Sequence, residues 1–177
     1  NFDSTSIWDD GYPSGGNYWS DYVGVEIKNG IIQDMHGSDG IGDTPYTNWG
    51  VIDRYPLVAP INMFDAGGWN GASYDINVVS NSTVSNFQID ASQKTINFNV
   101  AGLEYTSGFC RVTIPNVIIQ DIWQGNYTVL LNGETWPFAN QTDSENTYIY
   151  LTYNHSELTI TIIPELPSGI ILPLLIA

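Results

Sequence analysis

The chain has 177 residues, 42% of them hydrophobic and 13% aromatic, enough for one ordinary domain or a compact domain with a smaller module attached. Four Lys and Arg stand against 19 Asp and Glu, for a net charge of −15; four scattered cations cannot neutralise a run of phosphates, which excludes nucleic acid and anionic membrane surfaces as partners. Six Trp, 11 Tyr and six Phe exclude an acidic disordered chain and leave a folded, acidic, aromatic-rich protein that should attract divalent cations.

Residues 1–60 are rich in Gly, Asp, Tyr and Trp, as in Trp8-Asp9-Asp10-Gly11-Tyr12, and no helix or long strand can be read there. Such a segment folds by aromatic clustering and by side-chain or metal ties. Its densest acidic stretch is Gly37-Ser38-Asp39-Gly40-Ile41-Gly42-Asp43-Thr44-Pro45-Tyr46. Asp39-Gly40-x-x-Asp43 has the form of half a calcium loop: glycine permits the sharp turn, two carboxylates converge, and Ile41 can offer its backbone oxygen. Hard oxygen ligands without Cys or paired His favour Ca²⁺ over a transition metal, and Asp34, Glu26 and Asp21 are the nearest groups to complete the shell. Trp8, Trp19 and Trp49 are read either as the core of this small module or as a sugar-stacking platform, with Asp9 and Asp10 beside it. Carboxylates in turns are ordinary on an acidic surface, so the reading is of a non-enzyme.

A connection rich in Pro and Gly follows over about 56–72, and the sandwich domain is set at 61–165. Short alternating runs then predict strands near 74–79, 84–90, 94–100, 109–114, 126–131, 145–153 and 157–163, with a short helical crossover over 117–123. Asn132-Gly133 is the strongest hairpin signal. The fold class expected is all-β: a loop-rich, calcium-binding N-terminal module, an antiparallel Ig-like β-sandwich and an extended apolar C-terminal strand. Cys110, the single cysteine, lies in an alternating apolar run and reads as an inert core thiol; His36 and His155 read as surface loop residues.

Four N-x-[ST] sequons, at Asn81, Asn126, Asn140 and Asn154, all fall after residue 75 at turns or strand edges, where a glycan would face solvent. With the low Lys content they favour an exported, surface-exposed glycoprotein; the N-terminus has no signal-peptide pattern, so any leader is expected to have been removed. Residues 166–177 end in Gly169-Ile170-Ile171-Leu172-Pro173-Leu174-Leu175-Ile176-Ala177, too short to cross a bilayer. This tail is either a truncated membrane anchor or an apolar strand that packs on its own core or on another subunit; the reading taken is an assembly strand of Ile170, Ile171, Leu172, Leu174, Leu175 and Ile176.

Three motifs in order, Gly15-Gly16-Asn17-Tyr18-Trp19-Ser20-Asp21-Tyr22, Asp39-Gly40-Ile41-Gly42-Asp43-Thr44-Pro45-Tyr46 and Asp53-Arg54-Tyr55-Pro56-Leu57, resemble the segment following the parallel β-helix in archaeal surface proteins of the carbohydrate-binding and sugar-hydrolase repeat type. Phe64-Asp65-Ala66-Gly67-Gly68-Trp69, Gly108-Phe109-Cys110-Arg111-Val112 and Tyr153-Asn154-His155-Ser156 are similar to the sandwich such proteins carry, and Pro164-Glu165-Leu166-Pro167-Ser168 to the stub before their membrane anchor. The family pattern has ligands where this chain has Met35 and Gly37, and the β-helix is missing. The resemblance implies an extracellular or cell-surface protein. The function expected is a structural subunit of an archaeal cell-surface assembly or filament, a homopolymer joined by its tail and stabilised by calcium and N-glycans. The alternative is a carbohydrate-binding or adhesion module of a membrane-anchored protein, with glycans as partners and a membrane contact only if the tail is a truncated anchor.

Overall fold

The structure is a computed structural model that describes residues 6–165. The assembly-strand residues Ile170 to Ile176 lie outside the described residues. Over residues 6–60 the chain forms only strands of two or three residues: β1 (Ser6–Ile7), β2 (Lys28–Asn29), β3 (Met35–His36), β4 (Tyr46–Asn48) and β5 (Val51–Asp53). β5 pairs parallel to β1 and antiparallel to β4, while β2 and β3 make a separate hairpin.

The remainder is an antiparallel β-sandwich. Its strands are β6 (Ile61–Trp69), β7 (Ala72–Ser80), β8 (Thr83–Asp90), β9 (Thr95–Ala101), β10 (Ser107–Pro115), β11 (Tyr127–Leu131), β12 (Glu134–Thr135), β13 (Ala139–Thr142), β14 (Asn146–Asn154) and β15 (Leu158–Pro164). One sheet has the order β13-β14-β10-β7-β6 and the other β12-β11-β15-β9-β8. All seven expected strands are present. β6, β12 and β13 join them, and β6 occupies most of the stretch expected to be a plain connection.

The alternation that reveals these strands also builds the core. Ile96, Phe98 and Val100 of β9, Ile160 and Ile162 of β15 and Cys110, Val112 and Ile114 of β10 are all fully buried between the sheets. Asn132 and Gly133 take φ of 51° and 83°, the pair of positive values a two-residue hairpin turn needs to match strand twist, and they set Leu131 opposite Glu134. The helix α1 (Asn116–Trp123) carries the chain from β10 to β11. It starts after Pro115, buries Ile118, Ile119, Ile122 and Trp123, and ends where Gln124 turns left-handed at φ 54°. Both open sides of the sandwich are filled from within. Phe64 and Phe87 stack at 4.4 Å between β6 and β8, and Tyr127, Phe138 and Trp136 pack against the core at the β12–β13 side.

The N-terminal module lies on the outer face of the β13-β14-β10-β7-β6 sheet. Ile41, Leu57 and Ala59 form a second, smaller core with Val79, and Phe109 packs beside them. Across this junction Ser14 Oγ meets the Tyr148 hydroxyl at 2.8 Å and the Arg111 guanidinium donates to the Pro13 carbonyl.

Candidate functional site in the carboxylate-tied module

A segment with so little ladder must find partners for its backbone N–H groups elsewhere. Here carboxylates supply them. Asp53, fully buried, accepts from the Asn17 N–H at 2.7 Å, Trp19 Nε1 at 2.8 Å and its own turn's Tyr55 N–H at 3.1 Å. Glu26 Oε1 accepts from the N–H groups of Asp39 (2.5 Å) and Gly40 (3.1 Å), and Asp39 Oδ1 takes the Ile41 N–H at 3.0 Å. Asp43 accepts from the N–H groups of Ile27 and Lys28, and Asp9 holds Arg54 in an ion pair at 2.7 Å. The glycines of the motifs follow from this packing. A Cβ at Gly16 would overlap the Asp53 carboxylate, and one at Gly42 would overlap the Tyr22 ring.

The six expected calcium donors do not meet at one point. Asp39, Glu26 and Asp43 point at backbone N–H groups; Asp21 accepts from the Tyr46 hydroxyl at 3.1 Å; Asp34 is exposed; Ile41 is a core residue. Among the described residues no three His, Cys, Asp or Glu side chains converge as a metal group. One oxygen beside them lacks a partner: Gln33 Nε2 donates to Gly30 O and to Asp39 Oδ2 at 3.3 Å, leaving buried Oε1 unpaired. Burial pushes the Glu26 and Asp39 carboxyls above their usual range, against the pull of those N–H bonds, and for Asp39 also of the nearby Arg111 charge. This arrangement does not fit a six-to-eight-oxygen cage centred on Asp39.

Arg111 is the cation of the junction. It is 3% exposed, its guanidinium lies 4.4 Å from the Tyr148 ring centre, and among the described residues no carboxylate is within ion-pair distance. Burial lowers its pKa, and Asp39, Tyr148 and Asp143 oppose that shift at longer range. Asp143 in turn accepts from the Tyr148 hydroxyl at 2.7 Å, the Asn146 N–H and Ser14 Oγ. Burial raises the Asp143 carboxyl, but these bonds outweigh it and hold the pKa below the usual value. A carboxyl depressed in the folded state stabilises above its unfolded pKa, and this contribution vanishes as pH falls through the lower folded value. Acidification below about pH 4 should therefore loosen the junction. Asp143→Asn should flatten that limb of a thermal-stability profile, and an unchanged acid limb would reject the assignment.

The three tryptophans differ in their surroundings. Trp19 stacks on Tyr46 at 4.4 Å and is tied to Asp53, so it is structural. Trp8, half exposed, lies 6.1 Å from Trp19 and borders a cleft of about 310 Å³ with Asp9, Asp10 and Asn17. Trp49 stands free in solvent, 99% exposed.

Cys110 is a buried thiol, as expected, and burial raises its pKa to about 11. Iodoacetamide at pH 8 should leave it unmodified in the folded protein and alkylate it in denaturant; labelling without denaturant would contradict the burial. His36 is exposed on β3, but His155 is not a surface residue. It is 8% exposed, with Ser82 Oγ at 2.8 Å from Nε2 and Thr106 Oγ1 at 2.5 Å from Nδ1, and Tyr153 continues the chain of hydroxyls from Ser82. It fits inside because Gly102 and Gly108 have no side chains: a Cβ at either would strike its ring. The Ser82 hydroxyl is as buried as His155, so this is a polar plug at one end of the sandwich. The four sequon residues Asn81, Asn126, Asn140 and Asn154 are all exposed.

Asp53 and Arg111 carry the module and its docking, yet the sequence reading gave neither a role. The Asp53-x-Tyr55 spacing, which suits an Asx turn, was the one available signal for Asp53; a lone Arg inside an alternating apolar run was that for Arg111. Comparison with protein-family models, curated proteins and solved structures gives no match.

Proposed function

We propose that this chain is a non-enzymatic structural subunit of an extracellular cell-surface assembly of the archaeal type, joined to its neighbours through the apolar tail. One observation carries the reading: the sandwich fills its own core at both sides, with Phe64 on Phe87 and with Tyr127, Phe138 and Trp136, so it leaves no slot between its sheets for a further apolar strand, and only an edge remains. Apolar side chains of residues 169–177 then gain most by packing on another copy. The straight half of the β6 edge suits them, because Ile61 and Met63 are 44% and 66% exposed before the bulge between Asp65 and Gly67. Donor and acceptor differ, so the contact can propagate. Calcium enters as a counter-ion that screens the −15 charge between subunits, and glycans on the exposed sequon residues keep other faces apart.

Deleting residues 169–177 should abolish polymers in sedimentation and negative-stain microscopy while leaving a folded monomer, and a chelator should shorten polymers of the intact chain. Polymers unaffected by the deletion would reject the proposal. A second reading, a carbohydrate-binding module, is favoured by the polar cleft beside half-exposed Trp8.

A further inference from the structure

The described residues make three two-residue hairpin turns, between Asn48 and Val51, Trp69 and Ala72, and Leu131 and Glu134. All three take two positive φ values: 44° and 84° at Trp49-Gly50, 51° and 83° at Asn70-Gly71, and 51° and 83° at Asn132-Gly133. Asn-Gly is the pair this geometry selects, because a short amide tolerates the left-handed region and a bulky side chain does not. Two of the turns obey that rule. The third places a tryptophan in the strained position and leaves it 99% exposed, so no burial offsets the strain.

The same departure recurs at Tyr105. The Thr106 N–H closes a turn on the Leu103 carbonyl at 3.3 Å, and Tyr105, third in that turn, has φ 65°, where glycine is the favoured residue. It is 98% exposed. The other non-glycine residues at positive φ are Gln33, Asn70, Asn86, Lys94, Gln124 and Asn132, all polar. Aromatic residues therefore occupy strained positions only where the ring projects fully into solvent, among the described residues. Strain retained without an internal contact points to an external one.

We propose that Trp49 and Tyr105 are ligand-contact residues that stack on the rings of neutral saccharides. A bilayer or a protein partner would require a contiguous apolar patch, whereas Trp49 is flanked by exposed Thr47 and Asn48. Tyr105 borders a cleft of about 520 Å³ whose other walls include Glu104, Thr106, Asn154 and Ser156. A projecting ring with hydrogen-bonding groups beside it matches the C–H face and the hydroxyls of a sugar. The −15 charge selects against anionic sugars. The inference rests on the carbohydrate reading; it gives Trp49 a structural argument and adds Tyr105, both away from the Trp8 cleft.

The test uses an array of neutral oligosaccharides probed with the full chain and with Trp49→Asn, Tyr105→Gly and Trp8→Ala. Trp49→Asn and Tyr105→Gly should each weaken binding at least tenfold. Each should also raise the melting temperature, by about 2–4 °C, because the strained turn is relieved. Wild-type binding by both variants overturns the inference, as does a lower melting temperature for Trp49→Asn, which would make that ring a structural necessity. Loss of binding only in Trp8→Ala overturns it while sparing the carbohydrate reading; absence of binding by the wild type removes both.

Discussion

Asp53→Ala should release the N-terminal module and leave the sandwich standing. The substitution orphans the Asn17 N–H, Trp19 Nε1 and the Tyr55 N–H together, at a site that is fully buried. Each unsatisfied donor costs about 1–3 kcal/mol, and allowing for partial relaxation the expected loss is about 3–5 kcal/mol. Trp19 would then lose its anchor beneath Tyr46, so near-ultraviolet circular dichroism should fall with it. Hydrogen exchange should lose protection over residues 10–57 and keep it in β9, β10 and β15. Asp53→Asn retains one acceptor oxygen and should fall between. Unaltered protection in the alanine variant would mean that the carboxylate is not what ties the module.

Phe98→Ala should be the most damaging single change in the sandwich. Phe98 is fully buried, with Phe87 at 6.3 Å, and Phe87 in turn stacks on Phe64 at the open side of the sheets. Truncation removes the transfer energy of the ring and leaves a cavity that two opposed sheets cannot collapse, about 3–5 kcal/mol in all. At about 2–4 °C per kcal/mol for a chain of this size, the melting temperature should drop by about 6–20 °C. A shift of a degree or two would mean that the core repacks freely.

The two changes also mark what could be read from sequence and what could not. β9 and β15 were legible because Ile96-Asn97-Phe98-Asn99-Val100 and Ile160-Thr161-Ile162 alternate cleanly over one buried face. β6 was hidden by Asp65-Ala66-Gly67-Gly68, where a bulge with Gly67 at φ 83° breaks the period of two. β13 was hidden because Ala139-Asn140-Gln141-Thr142 has no large apolar residue to announce a strand. His155 was misplaced because its room inside depends on Gly102 and Gly108, far away in sequence. In the module, the Asp-Gly turns marked carboxylates that here accept from backbone N–H groups. Local sequence could not distinguish a cation from backbone N–H groups, since an Asp beside a Gly serves either.

β15, the last strand described, is the middle member of its sheet, with β11 on one side and β9 on the other. A tug transmitted from beyond residue 165 along the axis of this strand loads two rows of backbone bonds at once, crosswise to the pull. They must yield together by sliding, whereas an outermost strand would peel off bond by bond. A molecule held at that end would thus be gripped by a central, shear-loaded strand of its sheet.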